Sequence, residues 1–206
     1  DAIIHLAYIN GTRFFYSKPN LVLDVGVKGL LNVLDGCMKF KIKELYLASS
    51  SEVYQTPLKI PTKEDEMLKV PDVYNPRYSY GVGKILTEIM GINLGKKFFK
   101  KLVIFRPHNV YGPDMGLQHV IPQFIMEFLK NSKNDIAKIN VKGSLDSIRS
   151  FCYVEDIING LEILEKHNEE ANVYNIGDTV KISMKDLLNK ISELTEQRYS
   201  LNKDIK

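Results

Sequence analysis

Residues 21–50 read LVLDVGVKGLLNVLDGCMKFKIKELYLASS, and a change of period inside this stretch decides the fold. From Leu21 to Met38 apolar positions recur mostly at three- and four-residue steps, the repeat of one helix face, and Lys18-Pro19-Asn20 makes a suitable helix start. From Glu44 to Ser50 (ELYLASS) the apolar residues are contiguous instead, as in a strand buried on both faces. Upstream, Ala2 to Ala7 (AIIHLA) has the same buried-strand character, and the polar, Gly-containing segment after it reads as a loop. Downstream, Pro57, Pro61, Pro71 and Pro76 prevent regular pairing and predict a long loop. A helix over 79–99 and a strand over Leu102–Arg106 (LVIFR) follow. The order strand, helix, strand, helix, strand implies parallel pairing with right-handed crossovers, hence an α/β fold with a doubly wound sheet.

Beyond about residue 113 the elements become shorter and mixed. Helices are expected near 120–129, 155–166 and 184–195, and strands near 139–141, 151–154 and 173–176. This divides the chain into a sheet domain over 1–112 and a smaller mixed α/β region over 113–206, partly interleaved with the sheet. Internal repeats and low-complexity tracts are absent from the sequence.

With 206 residues, 44% hydrophobic and 26% charged, the chain has the composition of a soluble globular protein with a sizeable core. A formal net charge of +3, spread along the chain, gives no reason to expect a nucleic-acid or membrane partner. The densely basic run Lys96–Lys101 reads as the solvated end of a helix. Cys37 and Cys152 stand far apart in apolar or aromatic surroundings, as free thiols do in a reducing compartment, so a cytoplasmic protein is expected. No apolar run approaches the roughly 20 residues that span a bilayer, and the first residues lack a secretory signal. The sequence opens on Asp1 inside an apolar run, from which we expect the natural N-terminus to lie upstream and the chain to be a piece.

Tyr80 and Lys84 stand four apart in the predicted 79–99 helix, so their side chains share a face. An ammonium within about 6 Å favours phenolate and would bring a phenol towards use as a base at neutral pH. The spacing alone is weak, since Tyr199 and Lys203 repeat it. Position distinguishes the pairs: Tyr80 opens a helix after a buried strand and long loop, and ligands of open α/β sheets bind beyond the carboxyl ends of the strands. At the end of the second strand comes Ser49-Ser50-Ser51-Glu52. In extended backbone Ser50 and Glu52 would point the same way, one to hydrogen-bond a hydroxyl and the other to move a proton; a plain turn is the competing reading. Metal binding is not expected. His5, His108, His119 and His167 are isolated, and neither His-Glu-x-x-His nor paired Cys motifs occur. A phosphate loop around Gly81–Lys84 and a Gly-x-Ser-x-Gly elbow are likewise missing.

Four segments in register, ASSSEVY at 48–54, YGVGK at 80–84, FRPHNVYGP at 105–113 and RSFCYVEDI at 149–157, resemble the extended short-chain dehydrogenase/reductases that modify nucleotide sugars, the epimerase/dehydratase type. The resemblance implies a partial Rossmann-like sheet that starts at the family's fourth strand, without the Gly-x-x-Gly-x-x-Gly loop that cradles the pyrophosphate. It implies NAD as cofactor, with NADP not excluded, and a nucleotide sugar as substrate. Tyr80 would take the proton of the sugar 4-hydroxyl, Lys84 would lower its pKa and bind the nicotinamide ribose, and Ser50 would bind the same sugar oxygen. Leu6, Ala7 and Ser49 would line the cofactor, with Pro107 and His108 beside the nicotinamide. Ser51, Asn109, His119, Val120 and Arg149 would contact substrate, Asn109 and Arg149 at its diphosphate, although Arg149 also fits a surface ion pair and His119 a plain helix start. Helices 21–38 and 79–99 would pair with their copies in a homodimer.

The subfamily stays open. Members resembling 4,6-dehydratases and glucuronate decarboxylases carry Glu at position 52, which would take the C5 proton, whereas many 4-epimerases have a small residue there. Ser51 stands where dTDP-sugar dehydratases have Asp, Gly26 where a cofactor-contacting Asn is usual, and Gln55 where Gly is usual. A non-catalytic NAD(P)-binding sensor is the alternative from another class.

Overall fold

The computed structural model describes residues 1–131, 135–141, 143–166 and 171–202. In chain order its elements are β1 (Ala2–His5), α1 (Thr12–Ser17), α2 (Pro19–Lys39), β2 (Glu44–Ala48), α3 (Ser79–Met90), β3 (Lys101–Pro107), β4 (Val110–Tyr111), α4 (Val120–Lys130), β5 (Ile136–Ile139), β6 (Ile148–Arg149), β7 (Cys152–Tyr153), α5 (Val154–Lys166), β8 (Ala171–Ile176), β9 (Ile182–Ser183), α6 (Met184–Leu194) and β10 (Arg198–Leu201). They fall into two compact units, Asp1–His108 with Glu155–Gly177, and Asn109–Val154 with Asp178–Lys206. The single cut near 112 drawn from the sequence, with interleaving beyond it, thus becomes three crossings of the chain.

The first unit is built on a parallel sheet in the order β1-β2-β3-β8. Because strand side chains alternate, the contiguous apolar runs of β2 and β3 feed both faces. Leu45, Leu47, Leu102 and Ile104 pack with Leu30, Leu34 and Cys37 of α2 on one side. Tyr46, Ala48, Val103 and Phe105 pack with Leu161 and Leu164 of α5 on the other. Each such leucine contributes about 1.5–3 kcal/mol by burial, so the two cores together fix the sheet between its helix layers. Pro19 occupies the first turn of α2, where its missing N–H costs nothing.

Three expectations change. The 2–7 run is not buried on both faces here: β1 stops at His5, pairs with β2 alone among the described residues, and leaves Ile4 and Leu6 exposed. The helix expected to reach 99 ends at Met90 and passes into a π-helical turn, Gly91–Gly95, where two glycines within five residues lower helix propensity. The segment after β1, read as loop, contains α1, whose Phe15 is buried against Val22 and Tyr80.

In the second unit, α4 and α6 cover the parallel pair β10-β5 around Phe124, Phe128, Ala137, Ile139, Leu187, Leu188 and Ile191. The strand placed near 139–141 lies at 136–139 instead, because alternation turns Ala137 and Ile139 inward. The pairs β4-β7 and β6-β9 are two residues long, too short for any period to show in sequence. No helix among the described residues is long and apolar enough to cross a membrane.

Candidate active site

Helix α3 carries Tyr80, Lys84 and Glu88 at four-residue steps, which puts three polar side chains on one stripe, each less than a tenth exposed. The long proline-rich loop delivers this helix through a 3-10 turn, Pro76–Tyr78, capped by the Asn75 side chain, which accepts a hydrogen bond from Arg77 N at 3.0 Å. Strand β2 ends opposite, and its Ala48 carbonyl accepts a 2.7 Å hydrogen bond from Lys84 Nζ. That bond engages one of three ammonium donors, and burial lowers the Lys84 pKa to about 8.

Tyr80 is stacked on Phe15, with ring centroids 5.3 Å apart, and meets the Tyr8 ring edge to face at 5.2 Å. The Lys84 ammonium lies 5.7 Å from the Tyr80 ring centre. The two side chains therefore converge, but the expected acidification of the phenol does not result. Burial pushes Tyr80 up to about 12, a hydrogen bond from Ser50 pulls it partly back, and the Glu52 charge adds to the rise. In the chain by itself, desolvation of the phenolate outweighs the neighbouring ammonium.

Ser50 and Glu52 both act on Tyr80, by a different geometry from the extended backbone expected. The chain turns at once into a 3-10 helix, Ser51–Val53, with Ser50 as its cap accepting from Glu52 N at 3.2 Å. Glu52 is then held by Arg77, whose Nη2 donates to both carboxylate oxygens at 3.0 and 3.1 Å. Ser51 opens this turn, half-buried.

Ser49, expected to line the cofactor, has its hydroxyl engaged within the protein. It is buried and donates to Glu88 Oε1. Glu88 is clamped by Arg106 through Nε at 2.8 Å and Nη2 at 2.6 Å, and Arg106 Nη1 donates to Tyr54 Oη at 2.5 Å and to the Glu64 carbonyl at 2.9 Å. Tyr54 passes a 2.8 Å hydrogen bond to Asn175, which also donates to the Thr62 carbonyl. Side chains alternate along extended backbone, so of two adjacent serines one joins this interior network and the other acts on Tyr80.

Leu6 and Ala7 lie exposed at the carboxyl end of β1, and Pro107 ends β3. His108 is half-buried with Nε2 3.4 Å from Asn175 Oδ1; burial lowers its pKa, opposed by Asn175 and Glu64 and assisted by Arg106. In the second unit, Asn109 adopts a left-handed backbone, φ 38°, and its side chain donates to the Ser150 carbonyl at 2.9 Å, beside Arg149. Arg149 is exposed, bonds the Ile148 carbonyl and has no carboxylate partner among the described residues. His119 caps α4 by position and Val120 opens it. Tyr199 stands in β10, where the one-turn argument does not apply, and its counterpart Lys203 lies outside the described residues, as does His167. Sequence reasoning passed over Tyr8, Phe15 and Arg77; only a bulky aromatic after His5-Leu6-Ala7 and a cation three residues before Tyr80 marked them.

This architecture has known counterparts. The model of the NAD dependent epimerase/dehydratase family matches residues 1–177, and the chain belongs to that family. It is 27% identical over 201 residues to a dTDP-D-glucose 4,6-dehydratase of Dictyostelium discoideum, covering 95% of this chain and 45% of that protein. It is 31% identical over 196 residues to UDP-glucuronic acid decarboxylase 3 of Arabidopsis thaliana, covering 94% of this chain and 55% of the relative. The chain thus spans about half the length of these relatives. Among solved structures, RMD from Pseudomonas aeruginosa complexed with NADPH superposes with TM-score 0.85 at 22% identity, over 98% of this chain and 69% of that one. A UDP-galactose 4-epimerase superposes with TM-score 0.81 at 24% identity, over 98% and 64% respectively. These likenesses confirm the Rossmann-like parallel sheet.

Proposed function

We propose that the protein to which this chain belongs is an NAD(P)-dependent nucleotide-sugar epimerase/dehydratase, and that the chain carries its proton-transfer residues. The observation that carries the reading is the buried convergence of Tyr80, Lys84 and Ser50 at the carboxyl end of β2, with Glu52 acting on the same phenol. Its relatives include a sugar dehydratase and a uronic acid decarboxylase, and a neighbour in fold is complexed with NADPH.

The residues present fit a nicotinamide cofactor: Lys84 has ammonium donors beyond the one on Ala48, which suit ribose hydroxyls, and Leu6, Ala7 and Pro107 supply an apolar rim at the strand ends. Such a cofactor, when bound, supplies the hydride acceptor. Tyr80 is the base for the sugar 4-hydroxyl, and Ser50, already bonded to the phenol, aligns that oxygen. Burial holds the phenol up at about 12 in the chain alone, so a base role requires that its pKa fall when substrate and cofactor bind. Glu52, held in place by Arg77, is the carboxylate for a C5 proton, which favours dehydratase or decarboxylase chemistry over plain epimerisation. Asn109 and Arg149 are assigned to the substrate diphosphate on the resemblance, the guanidinium fork suiting phosphate oxygens.

The same reading includes a cytoplasmic protein, supported by two buried free cysteines. It also includes a homodimer through α2 and α3, supported by exposed Leu21, Leu31, Met38 and Ile89 on these helices. Incubating the full-length protein with NAD and a panel of nucleotide sugars, followed by mass spectrometry, tests the proposal. Loss of water, loss of carbon dioxide and inversion without mass change separate the three chemistries; no product from any sugar refutes the enzyme reading.

A further inference from the structure

Beside the Tyr80–Lys84 pair lies a second phenol that the proposed reaction does not use. Tyr8 follows β1, and its ring face lies under the Lys84 ammonium, 4.1 Å from Nζ to the ring centre. That is closer than the 5.7 Å to the Tyr80 ring. Its hydroxyl is buried without a hydrogen-bond partner among the described residues. The space it fills is made by two other positions. Gly26 on α2 and Gly83 on α3 face the Tyr8 hydroxyl, and a Cβ at either would overlap it. Helices α2 and α3 thus each give up a side chain so that one aromatic ring can slide between them and reach the lysine. A buried hydroxyl left unpaired opposes folding, so the ring's place there has to be favoured by something else.

We propose that Tyr8 is a positioning residue for Lys84, its ring face holding the buried ammonium in the charged form at the Ala48 carbonyl, in a slot opened by Gly26 and Gly83. Burial works against that charge, and the only hydrogen-bond acceptor on Nζ among the described residues is Ala48 O. An aromatic face supplies the missing compensation, since the ring quadrupole attracts a cation most strongly where water is excluded. The hydroxyl plays no part in proton transfer: it points at the glycines, and burial and Tyr80 together raise its pKa.

The titratable and charged groups around Lys84 come from four elements. They are Tyr80 and Glu88 on α3, His5 on β1, Tyr8 after it, and Glu52 after β2. Glu88 is neutralised by Arg106, Glu52 is paired with Arg77, and Asp24 of α2 pairs with Lys28 at the surface. His5 is held towards its neutral form by burial and by the Lys84 charge. None of these pairings includes the Tyr8 ring, so a substitution there tests its effect on Lys84 directly.

The protonation of Lys84 can be read whichever reaction the site performs. The test is an NMR titration of the chain labelled with ¹³C at lysine Cε, with the Lys84 signal assigned by its loss in Lys84→Arg. In the unsubstituted chain and in Tyr8→Phe the signal titrates near pH 8 and its methylene protons show the upfield shift of a ring overhead. In Tyr8→Leu, apolar but without a quadrupole, the upfield shift is lost and the pKa falls by about one unit, a tenfold loss of proton affinity. Gly26→Ala, which expels the ring while keeping Tyr8, gives the same fall and serves if Tyr8→Leu does not fold. A Lys84 pKa unchanged or raised in Tyr8→Leu or Gly26→Ala overturns the proposal, and so does a fall in Tyr8→Phe as large as in Tyr8→Leu.

Discussion

Two buried polar networks leave the end of β2 and climb the same stripe of α3, and they differ in how completely they are paired. The interior one runs from Ser49 through Glu88 and Arg106 to Tyr54 and Asn175; both Glu88 oxygens and three Arg106 nitrogens are engaged. The other runs from Ser50 through Tyr80 and Lys84 to Tyr8, with Glu52 and Arg77 beside it. It leaves ammonium donors of Lys84 beyond the one on Ala48, and Arg77 Nη1, without partners among the described residues, while the unpaired Tyr8 hydroxyl is shut away against Gly26 and Gly83. Closed pairing of buried charge ties the strands β3 and β8 to the long loop. Open capacity, held rigid by the same helix, is what a site needs to receive a ligand. Buried polar groups one turn apart on α3 thus differ in how far their hydrogen-bonding capacity is used up, and on the proposed function this difference separates scaffold from site.

A purely structural role for the Tyr80 group would erase this difference between the networks. Tyr80→Phe is expected to lower turnover of the full-length protein by about 10²–10⁴-fold while leaving its melting temperature nearly unchanged, as read by steady-state kinetics and calorimetry. Equal loss of both would put Tyr80 in the scaffold. The reverse holds for the interior network: Arg106→Met strands Glu88 as an uncompensated buried charge and should cost about 3–5 kcal/mol in denaturant unfolding.

Between these extremes lies Lys84, whose folded-state pKa of about 8 is below its ordinary value of 10.5. Between those pH values the unfolded chain binds the proton that the folded chain releases, so stability rises with pH through this window. The slope is at most about 1.4 kcal/mol per pH unit, and the effect is absent below pH 8. Urea unfolding of the chain against Lys84→Met across this range should show the slope in the former only. The smallest effect is expected from Ser50→Ala, which removes the hydrogen bond that pulls the phenol down and should slow turnover about fivefold, the equivalent of one ordinary hydrogen bond. A pH–rate profile then shifts to higher pH, whereas Ser49→Ala leaves it in place.

Much of this was legible in the amino-acid sequence because it depends on local period. Contiguous apolar runs at 44–48 and 102–105 gave the central strands, the helical repeat after Pro19 gave α2, and four-residue spacing gave the Tyr80–Lys84 pair. Ordering of strands followed from crossover handedness. What tertiary structure decided was burial and partner. Ser49 and Ser50 are identical letters, sent to different networks by the alternation of the strand and the helix that faces it. The phenol's pKa depended on how much water α1, Tyr8 and Phe15 remove from it, a sum over residues distant in sequence. Arg77 and Tyr8 carry no signature of their own, since a cation becomes a clamp, and a ring a cation's seat, only when the fold sets the opposite group a few ångströms away.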